Sequence, residues 1–448
     1  MTARLCLALI HALLVPVLAG AASAQTPVAL TLEEATARAV DRAPRVAEAQ
    51  AREAAAAAVT LSRTALTRPT LTTTTGYLRT NHVDELGVPQ VGGGVRILFP
   101  DVPSNYRLRT ELAVPLFTSG RLEGFVEAAR AERRGAAADR RTVEEDVRLD
   151  VARAYWQLAL SRETEQVLVQ AMARADAWVG DVRSRVEAGV LPPNDLLSAE
   201  AQRARQAVRL VQARNDAALA ELELARLVGE PPGTRLVTST GIDRAAPGLE
   251  PLIGQGPAAL VARAIDRRAE REGLVERRQA LEATADATLA ALRPQVAAIA
   301  AIEPARPNPR FAPRVDEWKT SWDVGVSLTW SVLDGGRARA ERAASIAQAD
   351  AIDARVKEFD ALVTVDIRRR LLDLEAARAA VSASTEAVTA ATEARRVVGE
   401  RFRVGVATST DMLDADLAQL EAELERTRLL AAERLTEAAL LRAAGGRP

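Results

Sequence analysis

The feature that most constrains this chain is an internal duplication. "LFTSGR" at 116–121 returns as "VLDGGR" at 332–337, and "EAGVLPPNDLL" at 187–197 returns as "RVGVATSTDML" at 403–413. Gly120 and Gly336, and again Gly189 and Gly405, stand 216 residues apart, and the same register runs on through "LARLVG" at 224–229 and "LLRAAG" at 440–445. Upstream the offset is 225: "ARAVDRA" at 37–43 answers "ARAIDRR" at 262–268, and Arg68-Pro69 answers Arg293-Pro294. The difference falls between Pro69 and Gly120, in a connection that is longer in the first copy. Each half therefore reads helix, strand, loop, strand, very long helix, tight turn, helix.

The second strand of each unit is the clearest. Trp322, Val324, Val326, Leu328, Trp330 and Val332 alternate with Asp323, Gly325, Ser327, Thr329 and Ser331, the period of two that gives a strand one apolar and one polar face. In the first unit Tyr106, Leu108, Thr110, Leu112, Val114 and Leu116 alternate with Arg107, Arg109, Glu111 and Ala113, in the same parity after the 216-residue offset. About ten residues, apolar on one side and charged on the other, match a strand of a membrane barrel. Leu108, Leu112, Val114, Trp322, Val324, Val326, Leu328 and Trp330 are the expected lipid-facing residues. The preceding strands, "PTLTTTTGYLRT" and "RPQVAAIAAIEP", are weaker, and no other β segment offers itself to pack against them. Four strands do not close a barrel, for which about eight is the minimum, so several chains must share one. The loops at 81–105 and 303–317, rich in Gly and Pro, read as irregular caps on one side of it.

The two long helices are equal. Gly120 to Gly189 and Gly336 to Gly405 each separate by 69 residues, or roughly 100 Å of helix. Val147, Val151, Ala154 and Leu158 form one apolar row, and Leu149, Trp156, Leu160, Val167 and Ala171 another on the opposite side. The second copy repeats this with Val363, Ile367 and Leu374 against Val365, Leu372, Ala376, Ala383 and Ala387. Two opposed seams suit a helix with a neighbour on each flank and water inside and out, which is a stave in a tube; a two-stranded coiled coil has one seam.

At the far ends Gly189 and Gly405 are placed to stop their helices in the left-handed conformation. Thr408 lies three residues before Asp411, a capping-box spacing, and Pro193 suits a first helical position. Asp195 and Asp411 fall in first helical turns, where a carboxylate is favoured, so capping is one reading of them. Asp414 sits a turn further along a similar face; copies arranged around an axis would stack Asp411 and Asp414 as acidic rings attractive to cations.

Composition removes other function classes. With 59 basic and 60 acidic residues there is no overall electrostatic case for nucleic acid. "MTARLCLALIHALLVPVLAGAASAQ" has the charge, apolar run and small-x-small site of an export signal over residues 1–24. Cys6 and His11 would leave with it, so His82 alone among His and Cys residues remains: no disulfide, no thiol chemistry and no His-based metal site within one chain. Beyond the signal no stretch approaches the ~20 apolar residues of a membrane helix. A carboxylate-only metal site or a glycosidase-type carboxylate pair stays open on composition, against solvated helix faces as the ordinary reading of so many Asp and Glu residues; we expect no cofactor, no metal and no enzymatic activity.

These pieces together resemble the TolC family of outer-membrane efflux proteins. The resemblance is carried by "LTLEEATARAVDRAP", the joints "VPLFTSGR" and "SVLDGGRARAE", and the turns "GVLPPNDLL" and "GVATSTDMLDA", in tandem over nearly the whole mature chain. It implies a mostly α fold with a small β part: a homotrimer sharing a 12-stranded β-barrel in the outer membrane of a Gram-negative bacterium, continued by a 12-helix α-barrel through the periplasm. It implies two repeats, 25–229 and 258–448, joined by a Pro/Gly-rich equatorial linker at 230–257. The function implied is a passive exit duct of a tripartite efflux or type I secretion system, served by a periplasmic adaptor and an inner-membrane RND or ABC pump. The adaptor would meet the tips, Gly189, Val190, Leu191, Gly405, Val406, Ala407 and Thr408, and the gate would involve Asp195, Asp411, Asp414 and Phe402, the last where relatives often carry a tyrosine. Pro192-Pro193 also departs from the usual Thr-containing turn. A soluble periplasmic coiled-coil scaffold is the alternative reading.

Overall fold

The computed structural model describes residues 27–245 and 249–446, so the expected signal and residues 246–248 of the expected linker lie outside the described residues. A short strand β1 (Val28–Leu30) precedes helices α1 (Leu32–Arg42) and α2 (Pro44–Ala65) and the strand β2 (Thr70–Arg79). A hairpin of β3 (Leu86–Pro89) and β4 (Val95–Phe99) leads to β5 (Ser104–Phe117), which runs into α3 (Arg121–Glu187) and α4 (Pro193–Val228). After β6 (Leu236–Thr238) and α5 (Leu249–Ile253) the unit returns as α6 (Pro257–Arg267), α7 (Ala269–Ala290), β7 (Gln295–Arg306), β8 (Lys319–Thr329), α8 (Arg337–Arg403) and α9 (Ser409–Ala443). The duplication holds in detail: α1 and α6 have 11 residues each, α2 and α7 22, and α3 and α8 67.

β2, β5, β7 and β8 form one antiparallel sheet in the order β2-β5-β7-β8. The repeat is preserved in its register. Thr70 pairs with Ala113, and the residues 225 and 216 further on, Gln295 and Thr329, pair with each other. A bulge in β5 between Pro115 and Phe117 skips Leu116 and puts Phe117 opposite Val296, so Phe117 takes the place on the apolar row that alternation alone gives to Leu116.

Every strand of the sheet is continuous with a helix, and the helices keep the order of the strands. Next to the sheet the neighbours run α2-α3-α7-α8; further away they run α4-α3-α9-α8. The shorter helices stack end to end: Arg42 at the end of α1 pairs with Glu230 just past α4 at 2.9 Å, and the Arg263 Nε of α6 donates to the Ala444 carbonyl at the end of α9. The result is a wall one helix thick and four wide.

The main apolar core sits where those helices meet. β1 and β6 pair in parallel, and the fully buried Tyr155 of α3 pins them, its hydroxyl donating to the Leu30 carbonyl (3.0 Å) and accepting from the Thr240 N–H (2.9 Å). Leu30, Val151, Trp156, Leu158 and Leu224 fill this level in one repeat; Leu260, Val363, Ile367 and Leu440 do so in the other. Beside them Arg442, 5 % exposed, is held by Glu145 (2.9 Å), Asp146 (3.0 Å) and Glu270 (2.7 Å). Burial pushes the Glu145 carboxyl up despite the guanidinium beside it.

Two expectations change. The first loop is no irregular cap: Val88, Val95, Ile97 and Phe99 belong to the β3–β4 hairpin, whose turn uses Gly92, Gly93 and Gly94, all at positive φ. The second loop is shorter than read, because β7 carries Pro304 at an extended position and continues to Arg306. With β1, β3, β4 and β6, the four long strands are not the only β structure.

Candidate functional site: the polar sheet face and the helix tips

The register sorts the strand residues onto two faces. Leu112 and Val324 flank Ala300, Val114 and Val326 flank Ala298, Trp322 lies opposite Ile302 and Leu328 opposite Val296, while Leu108 faces Thr75. All the expected lipid-facing strand residues thus share one face, and no layer of the described chain covers it; Val324 is 73 % exposed. Trp330 follows the last residue of β8, exposed, with its indole N–H donating to the Leu292 carbonyl at 3.0 Å. The other face is charged. Arg109 reaches Glu303 (3.0 Å) on the adjacent β7, Asp323 (3.2 Å) one strand further on β8 and Glu111 on its own strand, and Arg107 joins Glu303 at 2.8 Å. Such pairs cannot be solvated from hydrocarbon, so this face needs water.

At the joints from strand to helix, Gly120 (φ +86°) and Gly336 (φ +87°) are left-handed N-caps, a conformation that a Cβ would strain. First-turn N–H groups find side chains four residues back, two before each glycine: Leu122 N–H donates to Thr118 Oγ1 (3.4 Å) and Ala338 N–H to Asp334 Oδ2 (2.8 Å). Sequence reading missed these two, though the repeat places them 216 apart.

The tips match the expected turns. Gly189 (φ +73°) and Gly405 (φ +77°) end α3 and α8, with Val190 N–H donating to the Arg185 carbonyl and Val406 N–H to that of Arg401, both at 2.9 Å. Val190 and Val406 are exposed together with Gly189, Gly405 and Thr408, while Leu191 and Ala407 are half-buried. Pro193 opens α4, and Asp195 lies in its first turn. Thr408 caps α9 in a full capping box: the Asp411 carboxylate accepts from the Thr408 N–H and Oγ1, both at 2.8 Å, and Thr408 Oγ1 accepts from the Asp411 N–H at 3.1 Å. The backbone N–H of Thr408, then its hydroxyl, holds the Asp411 carboxyl below the usual carboxylate range. Asp414, one turn on, is exposed and makes no hydrogen bond or ion pair among the described residues.

Phe402 is placed differently from a residue that faces an open passage. It is 4 % exposed, its ring 4.7 Å from Trp178 and 4.6 Å beneath the Arg185 guanidinium, so it packs the end of α8 against the end of α3. Outer seams are a further feature of the walls. On α8, Val356, Val363, Ile367 and Leu374 are buried, whereas Leu362, Val365 and Leu372, on the opposite side of the helix, are exposed. On α4 the spacing of Leu197, Val208, Val211, Leu219 and Leu222 places all five within one narrow stripe, exposed and opposite the buried Ala199, Leu210, Ala217 and Leu224. The α4 stripe is legible in that spacing alone.

The outer membrane efflux protein family profile matches residues 36–230 and 264–446, one segment for each repeat. This chain belongs to the outer membrane efflux protein family. Membership places it in the outer membrane and disfavours the soluble scaffold. Among curated relatives, Protein CyaE of Bordetella pertussis is 27 % identical over 359 residues, spanning 76 % of this chain and 71 % of CyaE. Among solved structures, the outer membrane protein VceC of Vibrio cholerae superposes with a TM-score of 0.73 at 19 % identity, over 93 % of this chain and 96 % of that one. The open state of the MtrE outer membrane channel of Neisseria gonorrhoeae gives 0.74 at 18 % identity, over 93 % and 89 %. Members of the efflux family thus share this wall-and-sheet fold at low identity.

Proposed function

We propose that three copies close into a ring: a 12-stranded β-barrel in the outer membrane and a 12-helix tunnel through the periplasm, forming a passive exit duct of a tripartite efflux or secretion system. One observation carries the reading. The wall is open at both edges, and each edge presents an unpaired strand over an apolar helix stripe: β2 with the α4 stripe below, and β8 with the stripe on α8. A second copy covers one edge of each chain, and only a closed ring leaves none. Closure turns the Arg109 face inward and the Val324 face toward lipid. Repeats 25–229 and 258–448 then supply matched staves, and the linker at 230–257 contributes to a band at mid-height.

The chain does no covalent chemistry in this reading; the energy comes from an inner-membrane RND or ABC pump. A periplasmic adaptor meets the exposed tips at Gly189, Val190, Leu191, Gly405, Val406, Ala407 and Thr408. Asp195 and Asp411 support the tips as first-turn carboxylates, Phe402 packs them from within the protomer, and Asp414 offers a carboxylate to the passage. The test is conductance of the purified protein in planar bilayers. Steady single channels blocked from one side by divalent cations are expected, with weaker block in Asp414→Asn and in the double variant with Asp411→Asn. A protein that gives no channels and stays in the soluble fraction overturns the proposal; unchanged block removes Asp414 from the gate.

A further inference from the structure

The repeat fixes more than the number of staves. The offset of 225 carries β2 onto β7 and the offset of 216 carries β5 onto β8, and together they convert the β2–β5 register into the β7–β8 register: Thr70↔Ala113 becomes Gln295↔Thr329, and Arg79↔Ser104 becomes Pro304↔Thr320. One strand pair of the sheet is left over. β5–β7 joins the second strand of the first repeat to the first strand of the second. The same operation sends it to β8 against a first-repeat β2, and within one chain those are the two far edges of the sheet, so the β2 belongs to another copy. We infer that neighbouring copies are joined by antiparallel pairing of β8 with the next copy's β2 in one register, with Val326 opposite Tyr77 of the partner subunit and Thr329 opposite Thr74 of the partner subunit. These follow from Thr110↔Ile302 and Ala113↔Ile299. The inference rests on the ring proposed above and specifies its joint.

A second observation agrees. β5 extends to Phe117, whereas β8 stops at Thr329, four residues short of the equivalent Leu333. Val114, Pro115 and Phe117 pair with β7 and not with β2. Their equivalents Trp330, Ser331 and Leu333 therefore have their ladder partners only in another copy: Thr73, Thr72 and Leu71 of the partner subunit. In the single chain Leu333 is 88 % exposed and Leu71 71 % exposed, and this register places them against each other.

The chemistry of the two faces also matches. Val326 with Tyr77, and Leu333 with Leu71, extend the apolar face across the joint; Thr329 with Thr74, and Ser331 with Thr72, extend the polar one. A slip of one residue would set every side chain of β2 on the wrong face. The helices below follow the same rule. Exposed Leu372 and Ala387 on α8 correspond to buried Trp156 and Ala171 on α3, and exposed Val211 and Leu222 on α4 to buried Thr427 and Ala438 on α9. The positions that one repeat covers inside the chain are bare in the other. Because register sets shear in a closed barrel, a joint between copies that repeats the β5–β7 register leaves only two alternating junction types around the ring and no distinct seam.

Cys6, in the expected signal, is the one cysteine of the sequence, so paired cysteines report the register directly. The experiment oxidises the full-length protein in outer membranes carrying Val326→Cys with Tyr77→Cys, or Thr329→Cys with Thr74→Cys. Opposed pairs alternate between the hydrogen-bonded and wide type, and these two pairs sample one of each, on opposite faces. In a single chain the two edges lie three strand spacings apart, about 14 Å, so a disulfide between them joins two copies. Covalent dimers and trimers on a non-reducing denaturing gel are expected, at least tenfold above Val326→Cys with Thr75→Cys or with Arg79→Cys. Equal or better crosslinking of those slipped pairs, in a protein that still runs as a trimer on a native gel, overturns the register and leaves the ring standing. Wild-type protein that is no trimer on the native gel sinks both.

Discussion

Leu372→Glu tests the outer stripe of α8. Leu372 is 66 % exposed and Val365 63 % in the single chain, although their equivalents on α3, Trp156 and Leu149, are buried and half-buried. Burying a leucine contributes about 1.5–3 kcal/mol, so the two-thirds still exposed is worth about 1–2 kcal/mol at each joint. A ring has three joints, which gives roughly 3–6 kcal/mol for the trimer, or about 10²–10⁴ in its assembly constant. A glutamate in the same place also carries an unpaired charge onto the seam and raises the cost. Sedimentation of the detergent-solubilised protein over a dilution series reads this directly: the variant should dissociate at concentrations at which the wild type remains trimeric. Asp373→Ala, next in sequence and about 100° round the helix, is the control and should behave as wild type. If Leu372→Glu dissociates no more readily than wild type, the stripe is not an interface and the argument from open edges fails.

Other perturbations act inside one chain. Tyr155→Phe leaves the Leu30 carbonyl and the Thr240 N–H without their shared partner in a buried setting, at a cost of about 1–3 kcal/mol; proteolysis should then cut earlier near β1 and β6 while the long helices stay protected, and an unchanged digest would count against the pin. Thr408→Ala removes the cap of α9, and amides of its first turn should exchange about fivefold faster, in line with the ~1 kcal/mol of such caps. The Asp411 half of that box depends on pH with a definite sign. Its carboxyl is held low in the folded state, so its contribution is full above the ordinary carboxylate pKa and fades as pH falls through the folded value. Exchange at the first turn of α9 should therefore be flat from pH 8 down to about 5 once corrected for intrinsic rates, and speed up below about 4; a tip equally protected at pH 2 would contradict it.

What could be read from the sequence is what repeats or alternates along one stretch of chain. Period two set the faces of β5 and β8, and the doubled glycine motifs set two helices of 67 residues with left-handed ends. The opposed seams of α3 and α8 were equally legible, because a helix records on its own surface how many neighbours it needs. Thr408 and Asp411 declared their cap by spacing alone.

The tertiary structure decided whatever depends on residues far apart in sequence. Phe402 reads as a gate residue by resemblance, but Trp178 and Arg185, more than two hundred positions away, enclose its ring. Arg442 has no local partner; three carboxylates from α3 and α7 converge on it only when those helices pack beside α9. The Leu116 bulge is invisible to alternation because it is a property of the β5–β7 pair and not of β5. A local pattern fixes which side of an element is apolar, and only packing fixes which apolar sides meet inside the chain and which are left at its edges.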